Sequence, residues 1–88
     1  MRVKEGFVIR EIMGQTVVIP TGKASEEFTG MVKLNDTGRD IWEAVSGGML
    51  EEEIVDMISE KYEVSKEIAK SDVKKFIFDM EVKGFFVQ

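Results

Sequence analysis

The chain has 88 residues, 43% of them apolar, with seventeen acidic against twelve basic side chains and a formal net charge of −5. One core accounts for that length, so residues 1–88 are expected to form a single domain. Histidine and cysteine are both absent, which excludes disulfides, thiolate nucleophiles, zinc–thiolate sites and the usual proton shuttle near neutral pH, and no metal or cofactor is expected.

The first third reads as strands. In FVIREIM, Phe7, Ile9 and Glu11 alternate with Val8, Arg10 and Ile12; Gly14-Gln15 then reads as a two-residue turn into TVVIP, a β-branched run closed by the only proline. Thr21 to Gly30 has the composition of a polar loop, and MVKLN follows as a third short strand with Val32 and Leu34 on one face.

After Asn35 the apolar period changes from two to about 3.6. Asn35 is a good N-cap, Asp36 suits the positive end of the helix dipole, Ile41, Trp42 and Val45 form a buried stripe, and Ser46-Gly47-Gly48 stops the helix. Trp42 is expected to anchor the core between sheet and helices. A second helix, from about Leu50 to Tyr62, carries Leu50, Ile54, Met57 and Ile58 at helical spacing. Its Glu51, Glu52 and Glu53 read as a solvated first turn, because consecutive helix residues fan out around the axis and do not converge on a metal or a substrate.

The last helix is predicted from Ser65, its N-cap, to about Lys83 before Gly84. Ala69, Val73, Phe76, Ile77 and Met80 fall in one sector and belong in the core. Phe78 and Val82, with Ile68 near them, project to the other side. Either the closing FFVQ or a neighbouring helix covers this second face, or it is a groove for a partner.

Three strands in an antiparallel meander followed by three helices predict an α+β, winged-helix-like fold. The stretches GQTVVIPTG, FTGMVKLNDTGRDIW and EEEIVDMISEKYEVSKEIAKSDVKKFIFDMEVKGFF resemble the PqqD-like family of peptide-recognition proteins from ribosomal peptide maturation. Leu34-Asn35, Thr37-Gly38, Ile41-Trp42, Glu53-Ile54-Val55, Asp72-Val73 and Phe76-Ile77 carry the resemblance in order and spacing, from about Glu5 to Val87. It implies a non-catalytic chaperone that holds the leader of a precursor peptide by β-strand addition. The chaperone would present that leader to a modifying enzyme, typically a radical SAM enzyme. Carried over, the peptide would lie along Thr29, Gly30, Met31, Val32, Lys33 and Leu34, facing Ser71, Lys74, Lys75, Phe78 and Val82 of the last helix. An edge strand suits that task, since its unpaired amides and carbonyls give affinity and the side pockets give selectivity. Leu50 departs from the family, which often has a capping threonine there, so this helix start should be weaker by roughly 1 kcal/mol, with the three glutamates offsetting part of the loss.

Two other classes remain open. A winged-helix DNA-binding domain would need a basic recognition helix, but Lys66, Lys70, Lys74 and Lys75 are interleaved with Glu67, Asp72, Asp79 and Glu81, and a net charge of −5 repels phosphate, so no nucleic acid is expected. A structural module would bury Phe78, Val82 and the FFV end against a second copy as a homodimer. No apolar run approaches the roughly 20 residues of a membrane span, and MRVKEGF lacks a signal-peptide core, so a cytoplasmic domain without membrane attachment is expected.

Overall fold

The computed structural model describes residues 1–27 and 31–88. Its elements in chain order are β1 (Arg2–Val3), β2 (Phe7–Ile12), β3 (Gln15–Pro20), a helical turn α1 (Ala24–Glu27), β4 (Val32–Leu34), α2 (Asp36–Ser46), α3 (Glu51–Tyr62), α4 (Lys66–Val82) and β5 (Phe86–Val87). The architecture is α+β, as the sequence predicts: an antiparallel sheet in the order β2-β3-β4, then three helices, with β1 and β5 paired as a separate two-stranded ribbon.

Four local expectations change. The hairpin turns at Met13-Gly14, one residue earlier than predicted, because Ile12 pairs with Gln15 and both turn residues take positive φ (53° and 78°), as a primed two-residue loop requires. The loop expected after Thr21 contains α1, opened by hydrogen bonds from the Ala24 and Ser25 amides to the Thr21 and Gly22 carbonyls, each 3.1 Å. Leu50 stands outside its helix as an exposed N-cap with no side-chain acceptor, and Val55 takes the expected place on the buried face. Glu53 partly compensates for the missing cap, accepting the Leu50 amide at 2.9 Å. The FFV end, finally, does not cover the outer face of α4 and is not free for a second copy, since Phe85 and Phe86 are buried in the chain's own core.

A Schellman motif produces that last result. Gly84, at φ 81°, donates to the Glu81 carbonyl at 3.0 Å, while the Phe85 amide donates to Met80 at 2.8 Å, and the chain folds back over its own helix. Phe86 then meets the rings of Trp42 and Phe76 at 5.1 and 6.0 Å, and Phe85 meets Phe7 at 4.8 Å. Trp42 is therefore the anchor it was expected to be, held in the centre of an aromatic cluster.

Asp40 locks α2 to the end of α3. Its carboxylate is nearly buried, accepts a hydrogen bond from the Tyr62 hydroxyl and lies 2.9 Å from the Lys61 ammonium. Burial pushes its pKa up, but the Tyr62 and Lys61 hydrogen bonds and the charges of Lys61 and Arg39 together hold it below the usual value. A depressed carboxylate contributes stability that is present above its unfolded pKa of about 3.9 and is lost as pH falls through the lower folded value. Asp40→Asn should therefore cost about 1–3 kcal/mol at pH 7, or roughly 4–8 °C of melting temperature per kcal/mol. The gap to wild type should close as the medium is taken below about pH 4. Thermal melts of both proteins across that range check this, and an equal gap at pH 3 and pH 7 would contradict it.

Candidate functional site

Both outer strands of the sheet, β2 and β4, pair with β3 alone, and β4 is the edge that runs on into α2. Hydrogen-bonded and non-bonded pairs alternate along an antiparallel ladder, and the residues flanking a two-residue loop form a bonded pair. Starting from Ile12↔Gln15, the backbone groups of Gln15, Val17 and Ile19 address β2, and those of Thr16 and Val18 address β4. Their partners Leu34 and Val32 are thereby occupied, and the amide and carbonyl of Lys33 point outward from the sheet. Val32 and Leu34 pack their side chains on the core while Lys33 is exposed.

This edge leads directly into a cleft. Asn35 follows β4 and caps α2, its side-chain oxygen accepting the Gly38 amide at 2.8 Å. The first turns of α2 and the adjacent flank of α4 enclose a cleft of about 300 Å³, lined by Asn35, Thr37, Gly38 and Ile41 on one side and Asp72, Lys75, Phe76 and Asp79 on the other. Gly38 is what allows the two helices to approach, since a Cβ there would stand 2.8 Å from the Phe76 ring. Ile41 and Phe76 are its apolar residues, and its charged groups, Asp72, Lys75 and Asp79, all lie on α4.

Of the expected residues, Thr29 and Gly30 lie outside the described residues. Met31 is exposed beside β4, which consists of Val32, Lys33 and Leu34. Lys75 lines the cleft. Ser71, Phe78 and Val82 lie on the outward side of α4, with Phe78 and Val82 64% and 70% exposed and Ile68 beside them 53% exposed. Lys74 does not join them, because it faces α3 and binds Glu51 at 3.0 Å. The cleft adds Asn35, Thr37, Gly38, Asp72, Phe76 and Asp79, which read in sequence as a cap, a helix start, a core position and solvated charges. The signal for the two aspartates was present in their spacing, since residues seven apart lie within about 20° on a helix. Among the described residues no three acidic side chains converge on a point that could hold a metal, and no helix is long and apolar enough to cross a membrane.

The family model for coenzyme PQQ synthesis protein D (PqqD) matches residues 15–85. No curated protein matches. Two solved structures share the fold. TbiB1 in complex with the TbiA(beta) leader peptide superposes with a TM-score of 0.79 at 22% identity, covering 100% of both chains. Lasso peptide synthetase B1 complexed with the leader peptide superposes with a TM-score of 0.81 at 16% identity, covering 99% of this chain and 96% of that one.

Proposed function

The chain belongs to the PqqD family, and on that premise we propose that it is a non-catalytic domain that binds the leader of a ribosomally made precursor peptide. The observation that carries this reading is the open edge at Lys33 running into the cleft between α2 and α4. A peptide added as a strand along Met31 to Leu34, and along Thr29 and Gly30 before them, finds backbone partners on one side and the wall of α4 on the other. Ser71, Lys75, Phe78 and Val82 form the outer part of that wall, where an apolar side chain of the peptide covers Phe78 and Val82. The two leader-peptide complexes among the structural neighbours support the same use of the fold. The loaded domain then presents the peptide to a modifying enzyme in the cytoplasm, of the radical SAM class. Duplex DNA suits this surface poorly, because the cleft carries two carboxylates against one ammonium.

Several added backbone hydrogen bonds contribute roughly 1 kcal/mol net each, and one or two apolar anchors about 1.5–3 kcal/mol each. Ordering a flexible peptide and losing rigid-body freedom offset most of this gain, so the complex is expected to be no tighter than about micromolar. Calorimetric titration with the leader of the precursor peptide encoded beside this chain should show that affinity. Phe78→Asp should weaken it at least tenfold with no change in melting temperature, because Phe78 is off the core. No heat of binding at millimolar peptide would refute the reading; full-strength binding to Phe78→Asp would remove Phe78 from the site.

A further inference from the structure

The sheet has a second surface, on the side turned away from the helices. Side chains alternate along a strand, so the row Ile9, Val18 and Val32 packs on the core while the next row, Arg10, Val17 and Lys33, faces the opposite side. Val8, Ile12 and Ile19 share that outer face and, like Val17, stand outside the core cluster. Val17 is buried, Val8 and Ile19 are half-buried, and Ile12 is 43% exposed. Arg10 and Lys33 flank Val17 across the sheet, about 10 Å apart at two strand spacings. The Arg10 guanidinium donates to the Ile9 carbonyl at 3.2 Å, which holds the charge at the rim and occupies an acceptor of the β2 edge. The one acidic residue of these three strands, Glu11, falls on the side of Ile9. On α4, by contrast, both signs are interleaved.

We infer that this outer face is the docking surface for the modifying enzyme, and that it takes an apolar patch of that enzyme rimmed by aspartate or glutamate. This rests on the peptide-binding reading above. Charge chooses the occupant: two cations, with no carboxylate of the strands beside them, attract an acidic partner to one place on a chain whose net charge of −5 repels it elsewhere. A second copy on this face would set Arg10 and Lys33 against the same two cations. The row of β-branched side chains supplies the apolar area that a docked protein buries. Position adds a further reason. Cross-strand partners share a face, so the leader residue opposite Lys33 projects onto this same surface. An enzyme docked there touches domain and leader together, and so distinguishes the loaded domain from the empty one.

The test measures binding of the purified modifying enzyme encoded beside this chain to the immobilised domain, with the leader peptide present at saturation. Wild type is compared with Arg10→Glu, Ile12→Asp and Lys70→Glu. Lys70 is an exposed cation of α4, so its reversal changes the net charge as much as that of Arg10 but away from the sheet. Melting curves confirm that all four are folded, and calorimetry should give all four the same leader affinity, because none of these residues lies on β4 or in the cleft. Arg10→Glu and Ile12→Asp should each weaken enzyme binding at least tenfold, while Lys70→Glu stays within about twofold of wild type. Equal enzyme binding by Arg10→Glu and Lys70→Glu, or none by the loaded wild type, would overturn the docking surface and leave peptide binding standing. A wild type that sediments as a dimer, with Ile12→Asp a monomer, would give the face to a second copy and overturn the inference. A wild type with no heat of leader binding would overturn the peptide-binding reading and the inference with it.

Discussion

Val73→Asp should leave a chain with no cooperative thermal transition. Val73 is fully buried on the core face of α4, in the cluster that holds Trp42, Ile54, Ile58 and Ile77. Removing its side chain from that site gives up about 1.5–3 kcal/mol of apolar burial. Placing an unpaired carboxylate there adds several kcal/mol more, since no cation or donor faces it within this apolar cluster. A domain of this length holds about 5–10 kcal/mol in all, so the sum reaches the whole stability. The single tryptophan, Trp42, is buried and reports the outcome directly. Its emission in the variant should already be that of water-exposed indole at 25 °C, while Val73→Ala should keep a cooperative melt at lower temperature. A melt of Val73→Asp within a few degrees of wild type would show that α4 is not packed as described.

The contrast between Val73 and Phe78 was readable from spacing alone, because the apolar residues of α4 repeat with the helical period and only one set can face the core. The same holds for Asn35, whose cap geometry is a local property of four consecutive residues. What was hidden depends on contacts distant in sequence. The ribbon of β1 and β5 is two residues wide at each strand and has no period to detect, so the burial of Phe85 and Phe86 follows only from the Schellman turn at Gly84. Tyr62 and Asp40 are 22 residues apart and look like ordinary surface residues until α2 and α3 pack. In the cleft, the sequence supplied the edge strand and Lys75. It could not tell which flank of α4 turns to the start of α2, and so Lys74 was grouped with the cleft while Asp72 and Asp79 passed as solvated charges. The burial of Ala69, Val73, Ile77 and Met80 sets which face of α4 turns inward, and Gly38 leaves the room that Phe76 needs beside the start of α2.

Lys33→Pro should abolish most peptide binding without unfolding the domain. On the β4 edge an added strand bonds to the outward-pointing backbone groups, and by the alternation of the ladder these belong, within β4, to Lys33. Proline there deletes the donor and places a ring where the incoming backbone must pass. The sheet itself tolerates the change, since a proline whose nitrogen faces solvent on an edge strand removes no ladder bond, and Val32 before it is already extended. Loss of one or two hydrogen bonds plus the steric exclusion should weaken a micromolar leader complex at least thirtyfold, about 2 kcal/mol. Lys33→Ala, which keeps the amide, should bind within about threefold of wild type, because the contribution of an exposed rim charge is small. That pairing of variants separates backbone from side chain: equal losses in both would place the peptide on the lysine ammonium instead of the strand edge. Undiminished binding by Lys33→Pro, with its melting temperature unchanged, would show that the peptide lies against α4 alone and that β4 is not the strand it extends.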